Sequence, residues 1–461
     1  MSIRHVVVRE VRFASGALAA WAAAIAVVVV PGVARGDCRV SDFALGATAQ
    51  ERTRDSAILE AGELAANGRW PDARGVYLWV LARYEDDPEA LQGLARVDAW
   101  DGCWSLSESE FRRVLAMHPE DGDVRAAYVD MLVWRGRTAE AQAVLAQGAG
   151  GTPGSPPSSP PLLARAAQFA YWRGDATTGV ALADRAEQAA PDDGDIRAIR
   201  DRMLRGEARL TTHLDAYPGN TVLSVTGQVL QHVGRFELWG GAQLLTYFTP
   251  DTSTKNDVRY LVDVAYHPAL GVVLGAEVAL GLPAHAIPDF AGKVWATVPL
   301  VGPLDATLAY TLWHFAAGAG LVPTSTGEEL VHIINPSLGV ALPREIRLEG
   351  RAWISAATTG GQTRWAGAAG AQITWTPTAR FSTGVSYTYG TEADAVTQGV
   401  LLSANPVSFL EYKSHVAGAY VDWLLDRKVG LRPFVGFERR EDPAGNVIWI
   451  ASVEVGVYAR W

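Results

Sequence analysis

From Val447 to Trp461 the chain alternates apolar and polar side chains with a period of two. Val447, Trp449, Ala451, Val453, Val455, Val457, Ala459 and Trp461 share one face, and Ser452, Glu454, Gly456, Tyr458 and Arg460 share the other. Successive side chains of a strand point to opposite sides, so this segment offers one face to lipid and one to a polar interior. Ile448 and Ile450 blur the polar face only at its start. The same alternation recurs upstream. Val258, Tyr260, Val262, Val264 and Tyr266 leave Arg259 and Asp263 on the opposite face, and Ile346, Leu348, Gly350, Ala352 and Ile354 leave Arg347, Glu349 and Arg351. Trp365, Ile373 and Trp375 bracket another strand as interfacial aromatic girdles do.

From Ala208 onward the pattern predicts fourteen strands, with twelve or sixteen as open alternatives, and the connections sort into two classes. Short turns are expected at 233–235, 267–268, 301–303, 342–344, 376–378 and 426–428, and longer polar connections at 250–256, 283–289, 318–328, 358–362, 391–406 and 441–446. Short turns on one side and long loops on the other, with an even strand number, describe an antiparallel transmembrane barrel. The connection Tyr217 to Asn220 is short where a long one is expected.

Before residue 208 the period changes to that of paired helices. Gly68, Gly102, Gly136 and Gly174 stand 34, 34 and 38 residues apart, each between two helical patterns. Trp100, Trp134 and Trp172 each precede a turn by two residues. Five residues after each glycine comes a small side chain (Ala73, Ser107, Ala141, Gly179), and nine after it Tyr77, Phe111, Leu145 or Ala183. Small groups suit a close helix crossing and large ones fill the space beside it. These positions resemble the tetratricopeptide repeat over about 150 residues. Pro119 and Pro191 stop helices, and the Asp residues after them are expected to cap the next. The insert 148–161 is too rich in Gly, Pro and Ser to bury a core.

Residues 1–36 read as a secretory signal, with Arg4, Arg9 and Arg12 ahead of an apolar run and a small-x-small site at Ala34 and Gly36. The expected organisation is therefore signal 1–36, extension 37–54, repeat domain 55–207 and barrel 208–461, an α+β multidomain chain. Export permits a disulfide between the two cysteines, Cys38 and Cys103, with two free thiols as the equal alternative. A net charge of −10 without a basic stripe excludes a nucleic-acid partner.

Strand parity places Arg209, Arg259, Arg347, Arg351, Arg364, Arg432, Arg440 and Arg460 inside the barrel with Asp215, Glu237, Asp263, Glu277, Glu349, Asp422, Glu438 and Glu454, beside Trp239, Trp353 and Tyr420. Eight charges of each sign suit a narrow bore and a neutral or weakly charged sugar chain; pairs that merely satisfy one another are the plainer alternative. The nine histidines show no metal-ligand spacing, and neither metal nor cofactor is expected. Ser386, Ser414 and His415 are the catalytic candidates, and nothing in the sequence links them.

The run Glu454, Gly456, Ala459, Trp461 resembles the C-terminal signal that presents outer-membrane barrels to their assembly machinery. With the repeats, it makes the mature chain resemble the YaiO-type outer-membrane β-barrel family and, more distantly, repeat-plus-barrel exporters of bacterial cellulose and poly-N-acetylglucosamine. The resemblance implies a barrel among outer-membrane lipids, with repeats in the periplasm docking a protein of an exopolysaccharide system. The expected function is non-enzymatic help in export or surface handling of a polysaccharide. A structural or adhesive module is the alternative, and a lipid-modifying enzyme the third reading.

Overall fold

A computed structural model of the chain describes Cys38 and residues 53–148, 159–218, 220–248, 254–284, 287–316, 328–342, 345–359, 361–391, 413–441 and 444–461. The expected signal, most of the extension, the body of the 148–161 insert and most of the 391–406 loop lie outside the described residues. Those described form two compact units. One contains residues up to Ala166 together with 185–192, and the other 167–184 and 193–461.

The helices pair as the glycine period predicts: α1 (Arg54–Ala66) with α2 (Trp70–Leu81), α3 (Pro88–Trp100) with α4 (Trp104–Met117), α5 (Gly122–Trp134) with α6 (Thr138–Gln147), and α7 (Pro160–Trp172) with α8 (Ala176–Ala189), followed by α9 (Gly194–Asp201). Gly68, Gly102, Gly136 and Gly174 reverse the chain at φ between +71° and +82°, a conformation glycine adopts without a Cβ clash. Ala73, Ser107 and Ala141 are fully buried, and Tyr77, Phe111 and Leu145 are buried beside them. Burying each of these large side chains contributes roughly 1.5–3 kcal/mol. Asp87, Asp121 and Asp193 accept backbone N–H bonds at the starts of α3, α5 and α9, each cap contributing about 1 kcal/mol.

Fourteen antiparallel strands follow, each bonded to its sequence neighbours, and the sheet closes through β1 and β14. They are β1 (Gly206–Tyr217), β2 (Asn220–Val233), β3 (Phe236–Phe248), β4 (Lys255–Ala269), β5 (Val272–Gly281), β6 (Phe290–Pro299), β7 (Leu304–Phe315), β8 (Glu329–Leu342), β9 (Ile346–Thr359), β10 (Gln362–Thr378), β11 (Phe381–Thr391), β12 (Lys413–Leu424), β13 (Val429–Glu441) and β14 (Val447–Arg460). We call the end holding Gly206 and Trp461 proximal and the other distal.

Three expected connections are corrected. The turns placed at 267–268 and 376–378 fall inside β4 and β10, whose register shifts at Tyr266/Ala269 and Trp375/Thr378. An irregularity of this kind accommodates a proline that has no N–H to give the ladder, so Pro268 and Pro377 do not end their strands. The connection expected to be long at 358–362 is only two residues long, β9 ending at Thr359 and β10 starting at Gln362.

The repeat unit encloses a polar cluster. The buried Arg74 donates from Nε to Asp98 at 2.5 Å, and from Nη2 to Asp101 at 2.8 Å and to Cys103 Sγ at 3.2 Å. Cys103 is disulfide-bonded to Cys38, their Cα atoms 5.6 Å apart. Glu110 lies against Asp98, and burial, reinforced by that carboxylate, pushes its carboxyl up to about 8. An acid held above its unfolded value of 4.5 favours folding fully below that pH, and the contribution is lost as pH rises through about 8. We expect the helical melting temperature of the full chain to fall between about pH 4.5 and about pH 8, and Glu110→Gln to flatten that slope. A Glu110→Gln melt as pH-dependent as the parent's would contradict this assignment.

Candidate functional site: the inner wall of the barrel

Two sets of side chains separate cleanly by strand parity. Leu210, Val229, Leu244, Val262, Val278, Val294, Leu308, Ile334, Ile373, Val385, Val435 and Val453 stand on one face and are exposed. Trp365, Trp375, Trp423 and Trp449 stand on the same face. The opposite parity holds buried polar groups, including Thr211, His213, Asp215, Ser224, Thr226, Gln243, Asp257, Arg259, Glu277 and Glu438. A closed sheet that is apolar outside and polar inside has the architecture of outer-membrane barrels.

Each charged residue that parity placed inside faces inward in the observed register. Arg347 grips Asp305 with two bonds, at 2.7 and 2.8 Å. Arg351 bonds Glu349 at 2.6 Å along the same strand, and Arg364 lies 3.8 Å from Glu329. Asp422 accepts from Tyr458 Oη at 2.5 Å and pairs with Arg432 at 3.3 Å. Arg440 forms a forked pair with Glu438, both bonds 2.9 Å. Glu207 holds Arg209 at 2.6 Å and Arg460 at 3.9 Å. Arg259 is buried near Tyr247, Glu277 and Asp257, and Asp263 lies opposite Glu277 and near Lys293.

The expected equality of eight bases and eight acids is corrected. Register turns Lys255 and Lys293 inward, and also Glu207, Asp257, Asp305 and Glu329, giving ten bases against twelve acids on the described strands. Glu207, Lys255, Asp257, Asp305 and Glu329 stand within the first three residues of their strands. A sequence reading that blurs strand starts into turns loses them. Lys293 was legible, two residues before the inward Trp295.

Across the closure seam, His213 of β1 bridges two carboxylates: Nε2 is 2.9 Å from Asp215 and Nδ1 is 3.2 Å from Glu454 on β14. Ser452 donates to Asp215 at 2.6 Å. Sequence parity put Asp215 and Glu454 inside but could not see that the seam joins them.

Trp353 does not stand in the polar bore. It packs with Leu261, Ala279, Ala291, Trp313, Phe315, Val331, Ile333, Ala357 and Ala368 in an apolar layer toward the distal end. The catalytic candidates do not converge: Ser386 and Ser414 face inward, whereas His415 faces outward and bonds Tyr387 Oη at 2.7 Å. A hydroxyl and an imidazole on opposite faces of a sheet cannot exchange a proton directly.

The proximal end is joined to helix. Asp201 at the end of α9 takes Arg380 Nε at 2.8 Å and also pairs with Arg427, each arginine from a short strand connection. Tyr171 Oη accepts from Leu204 N at 3.3 Å, and its ring lies 5.9 Å from that of His232. Gly174 rests on His267, whose Cβ would lie 2.6 Å from any added Cβ. Of the proposed assembly signal, Glu454 and Gly456 face inward and Ala459 and Trp461 outward. The Trp461 carbonyl accepts from Arg205 N at 2.6 Å and Gly206 N at 3.1 Å.

No family model matches the chain, and no curated protein does, so the YaiO-type resemblance rests on sequence features alone. Solved structures that are similar include the CymD monoaromatic hydrocarbon channel, at 8% identity and a TM-score of 0.37, covering 57% of this chain and 90% of that one. OmpT, an outer-membrane protein of Vibrio cholerae, is similar at 10% identity and 0.33, covering 56% and 98%. A tetratricopeptide repeat protein from Parabacteroides merdae is similar at 15% identity and 0.30, covering 34% and 60%. At these identities and scores no residue role carries over from them.

His213→Leu removes the donor between Asp215 and Glu454. We expect the barrel to unfold at a lower temperature in detergent, read as the heat-dependent gel shift, with a loss of roughly 1–3 kcal/mol. Thr212→Leu, on the outer face, is the control and leaves the shift in place. An unaltered shift for His213→Leu would remove the bridge from the account of closure.

Proposed function

We propose that this protein is a non-enzymatic barrel of a Gram-negative outer membrane, with its repeats in the periplasm, that assists export or surface handling of an exopolysaccharide. The observation that carries the reading is a polar, charge-paired inner wall within an apolar outer surface, on the same chain as a helical-repeat platform. Short proximal turns and longer distal loops support a proximal end on the periplasmic side. Helical repeats present a face on which an envelope protein docks. The C-terminal strand carries the features that the assembly machinery would engage.

The distal apolar layer around Trp313 and Trp353 favours a second reading. A bore closed there would make the barrel a structural or adhesive module whose distal loops contact the surroundings.

Clean deletion of the gene is expected to lower surface polysaccharide, measured by sugar analysis of shed and cell-bound polymer. Ser386→Ala, Ser414→Ala and His415→Ala are expected to leave both polymer and envelope lipids unchanged. Normal polymer in the deletion strain with lost surface attachment would replace the first reading with the second. Altered lipids in any of the three variants would bring back catalysis.

A further inference from the structure

The inner wall carries more acid than base, yet within its arginine pairs the base is the more accessible partner. In seven arginine–carboxylate pairs of that wall, the arginine is the more exposed partner every time. Arg364 is 45% exposed against 12% for Glu329, and Arg347 41% against 25% for Asp305. The carboxylates Asp215, Asp257 and Glu277 are buried in the wall of β1, β4 and β5. Each pair is thus a dipole with its positive end toward the bore. A dissolved ion meets guanidinium first, because the neutralising charge sits behind it in a region of lower dielectric.

The exposed arginines are also spaced along the bore. Arg347 and Arg351 on β9 are about 13 Å apart, and Arg364 pairs across from Ala357, about 20 Å farther along the strand. Arg432 adds a fourth such group on β13, its guanidinium 5.4 Å from the Tyr420 ring. Beside Arg347 and Arg351 stand half-buried hydroxyl and amide groups: Gln372 bonds Thr374 at 3.2 Å, and Thr374 bonds Tyr420 Oη at 3.1 Å; the apolar layer with Trp353 and Ala357 separates them from Arg364. Guanidinium is a planar fork matched to carboxylate, and these neutral groups exchange hydrogen bonds with sugar hydroxyls.

We propose that the bore selects an anionic, carboxylate-bearing sugar chain over a neutral one through the track Arg347, Arg351, Arg364 and Arg432. This rests on the export reading above and narrows its substrate class. It replaces the neutral sugar expected from equal numbers of charges.

The test uses the full chain in planar bilayers under a potassium chloride gradient. The expected result is chloride selectivity, with block by oligogalacturonate and none by dextran of equal length. The variant Arg347→Gln, Arg351→Gln, Arg364→Gln is expected to lose chloride preference and to be blocked about tenfold more weakly. Arg→Lys at the same positions is expected to keep the selectivity and lose part of the block, because lysine retains charge without the fork. Cation selectivity, equal block by dextran, or unchanged Arg→Gln behaviour would overturn the proposal while leaving a membrane conduit in place. If the inserted protein is silent, binding of fluorescent oligogalacturonate in detergent decides, and absence of binding that the arginines control overturns the proposal. Failure of the chain to enter bilayers at all would instead count against the membrane reading.

Discussion

Every other feature of the barrel depends on the pairing of β1 with β14. In hydrocarbon no water can satisfy a backbone N–H or C=O, so a sheet that crosses it must have no edge. The seam runs in unbroken register from Glu207 opposite Arg460 to Ala216 opposite Ala451. Inward side chains reinforce it at two levels: Glu207 holds Arg460 near the proximal end, and His213 holds Asp215 and Glu454 higher up. The chain joins its first and last strands, the pair farthest apart in sequence, by charge-assisted contacts where no turn can connect them. At the proximal rim the Trp461 carbonyl takes the N–H groups of Arg205 and Gly206, so the last residue meets the chain just where the first strand begins.

Closure fixes the direction of every side chain, and the two surfaces then serve separate ends. The outer one is predominantly apolar, with tryptophan among its valines and leucines. The inner one is divided. Arginine pairs line it on β9, β10 and β13, while the distal layer around Trp313 and Trp353 is packed with apolar groups. Asp201, clasped by Arg380 and Arg427, ties α9 to two short connections of the proximal end, so the last helices are part of the barrel unit.

Much of this was legible in the sequence because both regular structures leave a period. The four glycines, the small residues five places on and the strand alternation each repeat one steric demand many times, so single exceptions did not matter. The strand number, the faces of Arg347, Glu349 and Glu454, and the Asp121 and Asp193 caps follow from those local rules. What was missed depends on contacts between segments distant in sequence. That Trp353 joins an apolar layer depends on β4 to β10 lying side by side, and the Asp305 partner of Arg347 lies 42 residues away. Pro268 and Pro377 misled because proline commonly marks turns, whereas an irregular ladder position tolerates it too. Relative exposure within an ion pair, which sets the sign of the bore, has no sequence signature.

The most direct test of the separation between lipid face and inner face is tryptophan quenching by acyl-brominated lipid in reconstituted full-length protein. Replacing Trp365, Trp375, Trp423 and Trp449 with Phe should remove most of the quenchable fluorescence, whereas replacing Trp239, Trp295, Trp313 and Trp353 should remove only fluorescence that bromine does not reach. Equal losses of quenchable signal from both sets, or a larger loss from the second, would contradict a closed barrel that turns its apolar face to the membrane.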